Sequence, residues 1–237
     1  MHGTPGARAA AARLLGELRA QWDPTRGLLG APGGEPATPG DCAQVIHGAI
    51  TCYSAIGEVS ALAFAVDLQD HLDHVAWREG TSRYGEGEGA AAATALAALD
   101  LVRLARITDD DAFAARAARI IDAHGPRSDS PIAELSAAIA EKEAPILHLT
   151  LIGGADEAGT AALLAAAHRR IVPGFSITVL DEGEASKALR RRFPGMPLMP
   201  RLPGKAPSAY LCTASACDPP TAEPAALARR IAELAKR

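Results

Sequence analysis

Three groups of side chains in this sequence have types and spacings that could do chemistry. The first is the cysteine pair of "AYLCTASACDPP", residues 209–220, in which Cys212 and Cys217 are separated by four residues. A zinc site uses about four N, S or O ligands, with tightly paired cysteines. No second pair accompanies this one, because Cys42 and Cys52 are separated by nine residues on one predicted helix and fall off a common face. Thiol redox chemistry draws on a thiolate stabilised at a helix N-terminus, which this spacing serves poorly. The reading favoured is structural, with Cys212 packed as a small apolar side chain at a strand end. A reversible disulfide and a metal site are the alternatives.

The second group is "DLQDHLDH", where Asp67 and His71, and Asp70 and His74, stand four residues apart on one helical face. Two imidazoles and two carboxylates are ligands for a divalent ion. The plainer reading is a solvated face of i,i+4 pairs opposite Leu62, Leu68 and Leu72. The third group centres on His47, which shares the polar side of its helix with Thr51 and Ser54. With Asp41 and Asp100 it forms a candidate acid–base set. Glycoside chemistry wants two carboxylates about 5–10 Å apart. Asp41 and Glu58 are the acids nearest His47 in sequence, and they lie at opposite ends of the helix, about 25 Å apart. Asp100 is three residues from Arg103 and is expected to pair with it. "LIGGADEAGT" resembles a phosphate loop only loosely, lacking both G-x-G-x-x-G and a P-loop lysine. A β–α turn with Asp156 as N-cap explains it better.

The elements that must position these groups fall into a helical part and a mixed part. Apolar residues at helical spacing mark "DCAQVIHGAITCYSAIGE", stopped by Gly57, and "SALAFAVDLQDHLDHVAW". After the looser "REGTSRYGEGEG" comes "AAAATALAALDLVRLARI", apolar nearly all round. Thr108 or Asp109 is the expected N-cap of "AFAARAARIIDAHG", which Gly125 stops. The two helix pairs read as one unit used twice, with Ile56 and Ile107 offset by 51 residues and Trp22 and Trp77 as a further echo. Ser130 and Pro131 are expected to open another hairpin. Beyond Pro145, "ILHLTLIGG", "FSITVL" and "SAYLCTA" read as strands. Helices alternate with them, the last being "EPAALARRIAELAKR".

The 237 residues are enough for one large domain or two small ones, and a 48% hydrophobic content suits a globular chain. A formal charge of −4 and only 4% aromatic residues argue against nucleic-acid binding. No uninterrupted apolar run is long enough for a membrane span, and the first residues lack a secretory signal's apolar core. The expected compartment is the cytoplasm, with no cofactor implied.

The C-terminal residues carry a resemblance. Gly204-Lys205, Ala209-Tyr210-Leu211-Cys212, Cys217, Pro219-Pro220, Pro224 and Leu227 resemble the terminal signature of the thioredoxin-domain-containing, spermatogenesis-associated family. "LIGGADEAGTAALLAAAHRRIVP" is similar to that family's strand, helix and Arg-Arg-x-x-Pro turn, and the resemblance runs over roughly residues 8–237. It implies an (α/α) toroid related to six-hairpin glycosidases and sugar 2-epimerases. The family's thioredoxin-like domain has a Cys-x-x-Cys-type site, and this chain has no such spacing. Gly40-Asp41-Cys42 and Gly87-Glu88-Gly89-Ala90 also depart from the family's pattern.

The expected fold is therefore mostly α: a partial (α/α) hairpin toroid over residues 1–144, then a small C-terminal α/β (β-α-β) module over 145–237. The expected function is that of a non-catalytic or vestigial helical domain that associates with a protein partner or a second copy. The alternative is a sugar-active enzyme, epimerase- or glycosidase-like, working on a small carbohydrate through His47, Asp41 and Asp100.

Overall fold

The computed structural model describes residues 5–30, 34–125, 132–204 and 206–236. It is mostly helical, with nine helices and three small sheets among the described residues. Helix α1 (Pro5–Arg19) leads into a two-stranded hairpin, β1 (Trp22–Asp23) and β2 (Gly27–Leu28). Helix α2 (Pro39–Ile56) starts at Thr38, whose side chain accepts from the Asp41 amide while the Asp41 carboxylate accepts from the Thr38 amide. This reciprocal capping box satisfies two amides that the first turn leaves free. Gly57 ends the helix in the left-handed region at φ 75°, donating its amide to Tyr53. The tight turn sends α3 (Val59–Ala76) back along α2.

A second hairpin, β3 (Trp77–Arg78) and β4 (Arg83–Tyr84), follows α3 as the first follows α1. Trp22 and Trp77 each open one of these hairpins. Trp22 packs edge-on against Phe64, and Trp77 lies against Tyr84 under the Arg116 guanidinium. Helix α4 (Ala90–Thr108) is buried on most sides, with α2, α5 (Asp111–His124) and α6 (Ala133–Glu143) packed on it. The cap of α5 is Asp110, one residue beyond Asp109 and two beyond Thr108, the expected positions. Asp110 accepts from the Ala112 and Phe113 amides. Asp109 instead closes α4 at φ 54°, and the Thr108 hydroxyl turns back to the Leu104 carbonyl. Ser130 and Pro131, the expected start of the next hairpin, lie outside the described residues.

The third sheet is built from β5 (Leu147–Ile152), β6 (Phe175–Leu180) and β7 (Ser208–Thr213), in the order β6-β5-β7. Strand β6 runs parallel to β5, and β7 antiparallel. Helix α7 (Ala158–Ala167) links β5 to β6 and packs on α9 (Pro224–Leu234), which Pro224 opens. The cap of α7 is Glu157, not Asp156. Its carboxylate accepts from the Gly154 amide and is held by Arg201. Between β6 and β7 lies α8 (Glu184–Arg192).

One continuous cluster of buried apolar residues runs from the helices into this sheet. Strand β6 is an edge, and the Tyr53 hydroxyl covers it, donating to the Val179 carbonyl at 2.9 Å and accepting from its amide at 2.7 Å. An edge strand otherwise presents such groups unpaired. The Arg106 guanidinium adds a second tie, donating to the carbonyls of Gly174, Glu141 and Ala144.

Candidate functional site

The polar groups most distinct from ordinary packing gather where α2, α4, α6 and β6 meet. His47 lies mid-way along α2, and its Nδ1 is 2.8 Å from Oδ1 of Asp100 on α4. Asp100 is fully buried, and its Oδ2 has no hydrogen-bond partner. Burial pushes its carboxyl up to about 6, against the opposing pull of the His47 hydrogen bond and the Arg103 charge. Arg103 does not pair with Asp100 as its i,i+3 spacing suggests. Its Nη1 stands 3.4 Å from His47 Nδ1, and its Nε faces Glu141 of α6 at 3.4 Å. The reason is helical geometry: Asp100 is turned into the α2–α4 contact, whereas Arg103 reaches the partly open side.

That open side is a cleft of about 330 Å³, lined by Thr51, Ser54, Arg103, Glu141, His168 and Ser176 among apolar neighbours. The His168 imidazole is anchored to the Ser54 carbonyl at 2.8 Å. Behind Ser176, His148 of β5 places Nδ1 2.7 Å from the Ser176 hydroxyl, and its Nε2 is buried without a partner. Burial, with the nearby Arg106 charge, drives the His148 imidazole down to about 4, so it is neutral near pH 7. A buried carboxylate tied to one imidazole nitrogen fixes the ring and leaves the other nitrogen for ligand or proton. His47 is 32% exposed and its Nε2 makes no hydrogen bond among the described residues, which is that arrangement.

The other expected sites are placed differently. Asp41 does not join His47 and Asp100: it serves the capping box, about 9 Å along the helix axis from His47. Along α3, Asp67 and Asp70 turn to Arg192 of α8 in ion pairs. The His71 ring packs edge-on against Trp22 at 5.4 Å between ring centroids, and His74 is exposed. Ligands that share a helical face are thus drawn to different neighbours. Among the described residues no group of three or more His, Cys, Asp or Glu side chains could hold a metal ion.

Cys212 and Cys217 form a disulfide, which replaces the reading of Cys212 as a packed free thiol. The backbone explains the pairing. The Thr213 amide donates to Ala216, and the Asp218 amide donates to Leu211, folding the chain back beside β7. Asp218 then receives Arg230 of α9 at 2.6 and 3.1 Å, fastening this corner to the last helix. Cys42 and Cys52 are free, and burial raises the Cys42 thiol to about 11, an unreactive setting.

Glu141, His148 and Ser176 are site residues that spacing alone does not single out. His148 and Ser176 meet only through the β5–β6 register, where they are directly paired.

These features define a mostly helical protein with a small mixed sheet and, between the two, a cleft of mixed polar and apolar lining. The chain is similar to human Spermatogenesis-associated protein 20, 26% identical over 207 residues that take in 79% of this chain. That similarity supports a relationship to the spermatogenesis-associated family. It spans about a quarter of the relative's length, 26%. No family model matches the chain, and no solved structure matches it. No helix among the described residues is long and apolar enough to cross a membrane.

Proposed function

We propose that this chain is a partial (α/α)-toroid domain over residues 1–144 with a β-α-β unit over 145–237. In this reading it serves a cytoplasmic protein of the thioredoxin-containing, spermatogenesis-associated type. Its work is association with a partner chain or a second copy rather than catalysis. The observation that carries this reading is the placement of the two candidate carboxylates. Asp100 is sealed behind His47 and Asp41 is engaged in the α2 cap, so neither offers a free carboxylate to a ligand. Two-carboxylate sugar chemistry has no support in that arrangement. Affinity purification from the native host, followed by native mass measurement of the complex, tests the proposal. The expected result is a species heavier than the 24.4 kDa chain. A strictly monomeric chain at micromolar concentration, with nothing co-purifying, overturns it.

A second reading is favoured by one feature, the free Nε2 of a histidine backed by a buried carboxylate. Here His47 is a single acid–base group acting on a small carbohydrate beside the 330 Å³ cleft, whose wall includes its neighbour Arg103, as a 2-epimerase-like enzyme. Sugar isomerisation assays with wild type and His47→Ala decide it: turnover lost in the variant supports the reading, and absence of turnover in the wild type removes it.

A further inference from the structure

The segment after α8, "FPGMPLMPRLPG", repeats with a period of three. One row holds Phe193, Met196, Met199 and Leu202; the next holds Pro194, Pro197, Pro200 and Pro203. A period of three is that of the polyproline II helix. Burial follows the rows. Phe193 and Met196 are buried and Met199 and Leu202 half-buried, whereas Pro194, Pro200 and Pro203 are exposed and Pro197 half-buried. Within the third row, Leu198 is 80% exposed. The strap contains no helix or strand from Phe193 to Leu202. It opens with a turn that the Met196 amide closes on the Phe193 carbonyl, the proline row continues beyond it from Pro197, and the whole is held from beneath. Its Phe193 ring meets Phe113, the Tyr210 hydroxyl donates to the Pro200 carbonyl at 2.6 Å, and the Leu202 amide donates to Ser208.

Beside the strap, α8 turns its basic face outward. Lys187, Arg190 and Arg191 share with Pro194, Met196 and Leu198 a concavity of about 480 Å³. Lys187 pairs with Glu184 and Arg192 with Asp67 and Asp70, but Arg190 and Arg191 form no ion pair or hydrogen bond among the described residues. Two unpaired arginines therefore border an exposed proline row, in a chain of net charge −4.

We propose that this strap is a docking ligand for a polyproline-recognition module in a partner protein, one whose groove is lined by aromatic side chains and rimmed by carboxylates. The proposal rests on the association reading above and names its surface and partner chemistry. Aromatic grooves accept a rigid proline row at low entropic cost. Here the strap is fixed before binding, which reduces that cost further. The concavity receives an aromatic side chain against Pro194 and Leu198, while Arg190 and Arg191 meet the acidic rim or stack on the ring. A lipid surface fits less well, because α8 turns its apolar residue Leu189 inward and leaves Leu198 as the apolar side chain most exposed on this face.

The test titrates the full chain against isolated Src-homology-type and WW-type polyproline-binding domains with acidic grooves, and against anionic phospholipid vesicles. At least one domain is expected to bind with micromolar affinity. Pro197→Ala with Pro200→Ala, and separately Arg190→Glu with Arg191→Glu, are each expected to weaken that binding at least ten-fold. The second pair, Arg190 half-buried and Arg191 exposed, also removes the salt dependence, while its urea midpoint confirms the fold. No binding by any domain overturns the proposal, as does binding that neither pair weakens or binding to vesicles alone. If the native complex persists in both pairs, association stands and this surface is not its site.

Discussion

Replacing Asp100 by Asn isolates the energetics of the buried dyad. The carboxyl is pushed from its ordinary value of 3.8 up to about 6, chiefly by burial. A native group that keeps its proton to higher pH than the unfolded chain makes stability fall as pH rises between the two values. For Asp100 the loss runs from about pH 4 to about pH 6 and amounts to about 3 kcal/mol, then levels off. His148 works the opposite way. Its imidazole is driven from 6.5 down to about 4. The unfolded chain therefore takes up this proton first, and about 3 kcal/mol of stability disappears as pH falls through the same window. In the wild type the two slopes oppose each other, and their joint contribution is nearly flat. Asp100→Asn preserves the side-chain shape and can donate to His47 Nδ1 while removing the titration. Its stability should therefore rise by about 3 kcal/mol from pH 4 to pH 6.5 relative to wild type, and exceed the wild type at pH 7. Urea unfolding followed by far-ultraviolet circular dichroism at pH 4, 5, 6 and 7 measures this. A difference between the two proteins that stays constant with pH refutes the reasoning.

Three other substitutions probe the ties between elements. Tyr53→Phe strips the Val179 amide and carbonyl of their partner and should cost about 2–4 kcal/mol in urea unfolding; a loss under about 1 kcal/mol contradicts the edge-covering role. Cys217→Ser opens a loop with a separation of 5 residues and should cost about 2 kcal/mol. Wild type in reductant should match that variant, and insensitivity to reductant counts against the disulfide. Arg192→Ala removes ion pairs whose partners are about half exposed, so a thermal melt should register less than about 1 kcal/mol.

Which groups form the site was only partly legible in the sequence. His47 and Asp100 are identifiable as polar residues on otherwise apolar helices, but 53 residues separate them and nothing local aligns them. The sequence rule for Asp100 favours Arg103, because i,i+3 neighbours share a helical face. The α2–α4 packing overrides it by burying that carboxylate against His47. Asp41 stands apart from the site for the opposite reason. Thr38 and Asp41 form a capping pair whose spacing is itself a helix-start signal, so its chemistry was structural from the outset. The hairpins that Trp22 and Trp77 open are not legible in the sequence, because strands of two residues have no periodicity.

The sequence by itself determined the helices, their stops at Gly57 and Gly125, the Pro224 start of α9 and the strands beyond Pro145. These follow from steric preferences and apolar periodicity within a few residues. Tertiary structure alone decided that Asp100 meets His47, that His148 meets Ser176, that Asp67 and Asp70 turn to Arg192, and that Cys217 folds back on Cys212. Each of these contacts depends on which buried surfaces come together or on strand register and chain reversal. The free energy of such packing belongs to the whole core rather than to any stretch of the chain.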